Sequence, residues 1–527
     1  MRFFNTAGPV DCRKHYCISP LERFDLDQIL SLIEQEKYFA LHAPRQTGKT
    51  SCLLALLAHL NQQGRYRCVY MNMEVGQAAR ENVAAAMQAI AGELADKANI
   101  VLNDDFVKRH WPEALADSGP YGAFGGILSR WSADDPKPLV LLIDEIDALV
   151  GDTLIAILRQ LRAGYAWRPG RFPQSVILCG VRDVRDYRIH SDAEKAVITG
   201  GSAFNIKAKS LRLGDFSLPE VEALYRQHKE ETGQALTAEA LARVWELTQG
   251  QPWLVNALGY ETCFELEAGR NRSRPMTADD VEQAKENLIQ RRETHLDQLA
   301  DKLEEERVRR VIEPLLAGVD LAEGFQKDDV DYVVDLGLIK RSPAGVLKLA
   351  NPIYQEVVPR ELVADTQDGL VEQMAWYVNP AGTLNLDKLL AAFQAFFREH
   401  SEHWLERFRY KEAGPQLLMQ AFLQRIVNGG GRIEREYGLG RMRTDLLIVW
   451  PYPGGVQKTV IELKVLHKGL EQTLAAGLEQ TWKYLDRSGA TEGHLVMFDR
   501  TPDKPWEEKL FRRQETVRGK TIQVWGM

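Results

Sequence analysis

One feature constrains this chain more than any other. An apolar strand runs straight into Ala43-Pro-Arg-Gln-Thr-Gly-Lys-Thr-Ser51, and a helical stretch follows at once. The general spacing is G-x-x-x-x-G-K-[ST], with Ala43 where the first glycine usually stands. Backbone N–H groups of such a loop, together with the N-terminus of the following helix, converge on phosphate oxygens. Lys49 is expected to neutralise the β- and γ-phosphates, and Thr50 to offer its hydroxyl to a magnesium ion. Gly48 lets the backbone approach closely. Arg45, Gln46, Thr47 and Ser51 complete the cradle. Ala43 narrows the backbone angles available at its position, which bears on hydrolysis more than on binding. ATP and Mg2+ are the expected cofactors.

The other half of the site is Leu139-Val-Leu-Leu-Ile-Asp-Glu145. Five apolar residues predict a buried strand, and Asp144 and Glu145 emerge at its C-terminal end, where open α/β sheets bind ligands. Asp144 is expected to hold the metal and Glu145 to orient or deprotonate the attacking water. The plainer alternative is an acidic pair ending a strand. A further strand, Ser175 to Val181, is followed by Arg182-Asp-Val-Arg-Asp186. Arg182 is either a sensor of the γ-phosphate or one member of a surface ion-pair series with its neighbouring aspartates.

Short apolar strands alternate with helical stretches from Tyr38 to about Leu213, which predicts an α/β fold with a largely parallel sheet. The expected divisions are an ATPase core over 1–213, a helical lid over 214–300, a winged helix over 301–362, a linker over 363–383 and a final domain over 384–527. Ser217 and Glu220 have capping-box spacing at the start of the lid. The winged helix's candidate recognition helix, Lys327 to Leu336, carries Asp328, Asp329, Asp331 and Asp335. Four carboxylates oppose phosphate contact, so packing and regulation are favoured there over DNA reading.

At 527 residues the chain is too long for one ordinary core, and 45% hydrophobic with 27% charged residues is a globular balance. A net charge of -8 argues against a coat of basic charge, though not against a local basic groove. No apolar run is long enough to span a bilayer, and the N-terminus lacks a signal-peptide pattern, so a cytoplasmic location without membrane partners is expected. Six scattered cysteines, of which only Cys12 and Cys17 are close, are expected to be free thiols.

The second chemical feature lies near the C-terminus. Thr444-Asp-Leu-Leu-Ile-Val-Trp450 and Thr459-Val-Ile-Glu-Leu-Lys-Val465 flank a Pro/Gly turn and predict a hairpin. Glu462 and Lys464 point to one face. With the turn centred near Gly454 and Gly455, Asp445 is expected opposite Lys464 and diagonal to Glu462. Two carboxylates, Asp445 and Glu462, could hold magnesium beside a lysine, a set suited to phosphodiester hydrolysis. The alternative is a buried Glu462–Lys464 salt bridge in a core. Gln480 and Tyr484 follow at i,i+4 spacing on one helix face. Basic residues, among them Arg512, Arg513 and Lys520, suit a polyanionic partner, and Trp404, Trp482 and Trp506 could stack on bases.

APRQTGKTS, LLIDEID and LCGVRD together resemble the AAA-like ATPases of the STAND type. That resemblance implies that the HYCISPLERFD segment, with His15 and Tyr16, folds over the adenine. It also implies that Pro252 of Gly250-Gln-Pro252 approaches the nucleotide, and that ATP favours an open homo-oligomer. Asp445, the hairpin, Glu462-x-Lys464 and Gln480-x-x-x-Tyr484 resemble the RecB-like branch of the PD-(D/E)XK nucleases, with Glu412 a candidate for the acidic residue that many members place upstream. This implies an α/β/α restriction-endonuclease-like domain acting on nucleic acid, DNA being the expected partner. The pairing resembles prokaryotic defence effectors. Two other readings stand beside it: a nucleotide-switched scaffold with an inactive nuclease-like domain, and an ATP-dependent replication or repair factor.

Overall fold

The computed structural model describes residues 1–183, 187–191, 196–291, 294–316, 326–342, 345–362, 377–407, 419, 422–423, 431–439, 442–466, 469–499, 501 and 504–527. The chain divides into two compact units. The first holds Met1–His295 with Asp331–Ile339, and the second holds Leu296–Val330 with Lys340–Met527.

The first unit is built on strands β1 (Tyr38–His42), β2 (Arg67–Asn72), β3 (Leu139–Asp144), β4 (Ser175–Gly180) and, beyond the small hairpin β5 (Arg188–Ser191) and β6 (Ala196–Thr199), β7 (Lys207–Arg212). Their order across the sheet is β2-β3-β4-β1-β7, every pairing parallel. The near-continuous apolar runs of the central strands follow from coverage on both faces. Val69, Met71, Leu141, Ile143, Val176 and Leu178 pack in one core with helices Val83–Leu102 and Gly151–Gly164. Phe39, Leu41, Cys68, Tyr70, Leu142 and Ile177 pack on the other side with helices Leu26–Glu34 and Lys49–Gln63. Helix Lys49–Gln63 buries Cys52, Leu53, Leu56 and Leu60, the spacing of one helical face.

Four-turn and shorter helices over Leu218–Thr232, Ala238–Thr248, Pro252–Tyr260 and Ala278–Gln290 follow the sheet. Glu220 Oε2 accepts from Ser217 N at 2.6 Å, closing the expected box. The N-terminal segment lies against these helices. Asn5 N donates to Asn256 Oδ1 at 3.2 Å and Trp253 Nε1 to Thr6 O at 2.9 Å.

The expectation of six free thiols is corrected. Cys12 and Cys17 form a disulfide with Cα atoms 5.4 Å apart. Its local cause is a turn in which Asp11 O accepts from both Lys14 N and His15 N, bringing the two cysteines within bridging reach. Cys52, Cys68, Cys179 and Cys263 are free and buried.

Helices Thr294–Leu303, Glu306–Leu316 and Lys327–Asp335 precede a short hairpin, β8 (Ile339–Arg341) and β9 (Leu347–Leu349). The carboxylates of the third helix are largely committed. Arg307 pairs with Asp328, and Arg310 with Asp329. Pro343 lies outside the described residues, as does most of the expected linker.

The second unit contains a six-stranded mixed sheet. Its strands are β10 (Arg432–Leu439), β11 (Met442–Tyr452), β12 (Gly455–Val465), β13 (Glu492–Phe498), β14 (Phe511–Val517) and β15 (Lys520–Gly526), in the order β10-β11-β12-β13-β15-β14. Parallel pairing is confined to β12–β13 and β13–β15. Helix Leu386–Arg407 covers one face, through Leu389, Phe393 and Phe397 against Leu446, Ile461 and Phe498. Helix Leu470–Ser488 covers the other, through Leu474, Tyr484 and Leu485 against Val460, Leu495 and Met497. Among the described residues no helix is long and apolar enough to cross a membrane.

Candidate functional site

The C-terminal ends of β1, β4 and β3 lie side by side, and the candidate nucleotide site is assembled there. Ala43 N donates to Gly180 O at 3.2 Å, tying the loop to β4. Gln46 adopts φ 56° and Gly48 φ 95°, so the chain turns through left-handed backbone immediately before the helix. Lys49 is 5% exposed, and its Nζ donates to Ala43 O at 2.9 Å and Pro44 O at 3.0 Å. The ammonium thus lies folded over the loop, a short rotation from any anion the loop takes. Thr47 is buried, its hydroxyl donating to Pro44 O. Arg45 is exposed, and Ser51 Oγ accepts from Val10 N at 3.0 Å.

Asp144 is fully buried and collects three donors. Thr50 Oγ1 reaches Oδ2 at 2.7 Å, Tyr70 Oη reaches the same oxygen at 3.1 Å, and Glu145 N reaches Oδ1 at 3.0 Å. A threonine hydroxyl and a carboxylate held this close are hard oxygen donors that fit magnesium. Glu145 sits at φ 50°, a left-handed backbone for a non-glycine residue at the strand end. Burial raises its carboxyl to about 7, with the charges of Asp147, Asp144 and Glu74 adding to the rise and Lys49 opposing it.

Arg182 follows β4 and is 7% exposed. Its Nε donates to Asp335 Oδ2 at 3.1 Å, and its guanidinium lies 5.0 Å from the centre of the Tyr332 ring. Asp183 pairs with Lys207. Arg185 and Asp186 lie outside the described residues. Arg212 Nη2 donates to Val334 O at 3.2 Å, and Gly337 packs so closely on Pro44 that a Cβ would fall 2.7 Å from its ring. The segment Tyr332–Gly337 therefore lies directly on the phosphate loop and its arginines.

The N-terminal residues divide. His15 Nδ1 accepts from Asp11 N at 3.0 Å and its ring stands edge-on to Phe3. Tyr16 is buried against Phe4, with its hydroxyl paired to His228 at 3.2 Å, so its place is in the aromatic core against helix Leu218–Thr232. Pro252 is buried at the first turn of its helix. Gly250, with φ 81°, accepts from Phe216 N, and a Cβ there would meet Phe216 O at 2.0 Å. Two contributors were missed from sequence. Tyr70 reaches Asp144 from the adjacent strand. Arg23 donates to Thr47 O at 3.2 Å and Gly214 O at 2.6 Å, while packing on Phe216. Only the strand order, which places β2 beside β3, could have marked Tyr70.

At the C-terminal site, Lys464 Nζ donates to Glu462 Oε1 at 2.6 Å, and Glu462 is 1% exposed. Both lie on the sheet face covered by helix Leu470–Ser488, which carries half-buried Gln480 and buried Tyr484. The expected register is corrected. Tyr452 pairs with Gly455, so the turn centres on Pro453 and Gly454. Leu446 pairs with Ile461, and one position further Asp445 falls opposite Glu462 rather than Lys464. Asp445 is placed by backbone only, and Glu412 lies outside the described residues. Among the described residues no group of three or more His, Cys, Asp or Glu side chains converges as a metal site. Several basic residues are engaged with acids: Arg512 with Asp387, Arg513 with Glu471, and Lys520 with Asp486. Arg518 stacks on Trp482 and Lys509 on Trp506.

Residues 22–270 match the family model of the AAA-like domain. The chain contains an AAA-like P-loop ATPase domain. The domain's sheet and site have the features expected of such an ATPase, and its fold points to ATP binding and hydrolysis. The chain is similar to the Walker-type ATPase PABY2304 of Pyrococcus abyssi, at 13% identity and a TM-score of 0.46 over 67% of this chain and 99% of that one. It is also similar to Cdc6p from Pyrobaculum aerophilum, at 15% identity and a TM-score of 0.34 over 66% and 93%. The RuvB Holliday junction branch migration motor of Thermotoga maritima matches at 11% identity and a TM-score of 0.32 over 64% and 96%. No curated protein matches the chain.

Proposed function

We propose that this protein is an ATP-controlled, metal-dependent nuclease whose expected substrate is DNA. The observation that carries the nuclease reading is the Glu462–Lys464 pair on β12, beneath the helix that bears Gln480 and Tyr484. A buried carboxylate beside an ammonium offers hard oxygen donors to a divalent cation. The register position of Asp445 opposite Glu462 would add a second carboxylate. Bound there, Mg2+ would activate water and offset charge on the phosphodiester. Lys464 would then be free to turn from Glu462 toward the scissile phosphate, and Tyr484 would fix the helix over that face.

At the ATPase site, Thr50 and Asp144 would hold the ion and Lys49 would swing from the loop carbonyls to the phosphates. Glu145 would take a proton from water. The Arg182–Asp335 contact supports control by nucleotide, because a γ-phosphate would compete with Asp335 for the same guanidinium. ATP binding would thereby loosen Tyr332–Gly337 from the loop. One observation favours a second reading, a nucleotide-switched scaffold: the Glu462–Lys464 pair is also what an inert core ion pair looks like.

The test is cleavage of single- and double-stranded DNA with Mg2+, with and without ATP, by wild type, Lys464→Ala and Lys49→Ala. The proposal expects loss in the first variant and loss of ATP response in the second. Equal activity in all three would remove the mechanism. Unchanged cleavage by Lys49→Ala alone would leave a nuclease without its control.

A further inference from the structure

The N-terminal segment makes two sets of contacts that a single covalent bond joins. On one side, Val10 N donates to Ser51 Oγ at 3.0 Å, in the first turn of the phosphate-loop helix. On the other, Cys17 is clamped at both backbone groups by one lid side chain. Its N–H donates to Gln227 Oε1 at 3.1 Å, and its carbonyl accepts from Gln227 Nε2 at 2.9 Å. The Tyr16 hydroxyl adds a contact to His228 on the same lid helix, Leu218–Thr232. Between the anchors lie Cys12, exposed, and the disulfide that ties it to Cys17.

We propose that Cys12–Cys17 is a redox-modification site, reduced by dithiols, that sets how tightly the lid is coupled to the phosphate-loop helix and so how fast nucleotide leaves. With the bond in place the two Cα atoms are held at 5.4 Å. Without it, the same five-residue separation can extend to roughly 17 Å. The turn at Asp11 and the backbone pairing of Phe3 with Lys14 and Tyr16 then oppose that extension, without a covalent tie. Helix Leu218–Thr232 and the phosphate-loop helix then lose their covalent tie through Cys12–Cys17 and, within this segment, are held only by the run of chain from Thr6, which accepts from Trp253, to Val10.

The exchange balances as follows. A thiolate of the dithiol attacks the exposed Cys12 Sγ, forming a mixed disulfide and expelling the Cys17 thiolate, which takes a proton. The dithiol's second thiolate then attacks its own sulfur in the mixed disulfide. The Cys12 thiolate leaves and is protonated, and the dithiol departs as its cyclic disulfide. Two electrons pass from reductant to protein. The remaining cysteines are buried and take no part.

The experiment uses the full chain loaded with a fluorescent N-methylanthraniloyl ADP and chased with unlabelled ADP. Release is timed before and after treatment with dithiothreitol, and thiols are counted in denaturant. The proposal expects four thiols before reduction and six after, with release several-fold faster in the reduced protein. Cys12→Ser should release at the fast rate in both conditions. Six thiols in oxidised protein would overturn the proposal. So would equal release rates in wild type once the count has risen to six, a comparison that needs no variant to fold. A Cys12→Ser protein that still responds to dithiothreitol would overturn it as well. Lys49→Ala, which should not retain the probe, shows that the signal comes from the phosphate loop.

Discussion

Arg182 and Asp335 meet at 3.1 Å although 153 residues separate them, and both side chains are largely buried, at 8% and 13% exposure. Removing one member of such a pair strands the other, at a cost of about 3 kcal/mol. Asp335→Ala should therefore lower the melting temperature of the apo protein. ATP should restore more stability to the variant than to wild type, because the stranded guanidinium then gains an anion. Differential scanning fluorimetry with and without ATP checks this. Equal ATP-induced shifts in the two proteins would mean that Arg182 does not face the nucleotide.

Tyr70 offers a test of how Asp144 is held. The phenol donates to the same carboxylate oxygen as Thr50. Tyr70→Phe removes one hydrogen bond to a charged group, worth about 1.5–3 kcal/mol, and keeps the packing. ATP turnover should fall by roughly tenfold or more while nucleotide affinity stays near that of wild type. Turnover at the wild-type rate would show the phenol to be incidental.

Gly250 has both a left-handed backbone and a carbonyl 2.0 Å from where a Cβ would sit. Gly250→Ala must break the Phe216–Gly250 hydrogen bond or distort the start of helix Pro252–Tyr260. A loss above about 2 kcal/mol is expected from strain of this kind. Urea denaturation should show an early loss of the helices around Gly250, and a midpoint equal to wild type would contradict the steric argument.

The C-terminal sheet should be acid-labile through His494. Burial pushes this imidazole down to about 4, and its Nδ1 accepts from Trp525 Nε1 at 3.2 Å, a bond that only the neutral ring can make there. The folded value lies below the unfolded one of about 6.5, so the stabilisation is complete above that pH and is lost as pH falls toward 4. The amount at stake is about 3 kcal/mol. His494→Gln should flatten the pH dependence of the urea midpoint over this window. A slope as steep as wild type would assign the acid sensitivity elsewhere.

Glu462 and Lys464 separate the two readings of the C-terminal domain. If the pair is only structural, Lys464→Met should change stability by at most a few kcal/mol. If the pair is the nuclease centre, the variant should fold with its sheet intact and lose DNA cleavage by roughly a hundredfold or more. Measuring both quantities on one preparation distinguishes a misfolded protein from an inactive one.

The ATPase half was legible because its chemistry is local in sequence. Ala43–Ser51 and Leu139–Glu145 each carry strand, turn and functional group in one short stretch, and apolar periodicity fixes the rest. Tyr70 and Arg23 were invisible because their roles depend on which strands become neighbours. Asp335 was noticed as a charge and read as a repellent, since nothing in its own helix points to Arg182. The C-terminal hairpin was anticipated, but its register was off by two partners at Asp445. A Pro-Gly-Gly run leaves the centre of the turn open, and only the Tyr452–Gly455 pairing fixes it. The disulfide was missed because the compartment argument concerns averages, whereas bridging depends on a turn made by Asp11.

Strand β4 lies between β3 and β1 and contributes neither Lys49 nor Asp144. It still behaves as a vernier between them. Hydrogen-bonded on both sides, it delivers Arg182 at a fixed height relative to Asp144 on one flank and to the phosphate loop on the other. One residue of slip along the strand would carry that guanidinium about 3.3 Å along the strand. Any sequence change that alters how β4 seats, even deep in the apolar core and far from every charged group, would thus displace Arg182 relative to the phosphate loop without touching a residue of that loop.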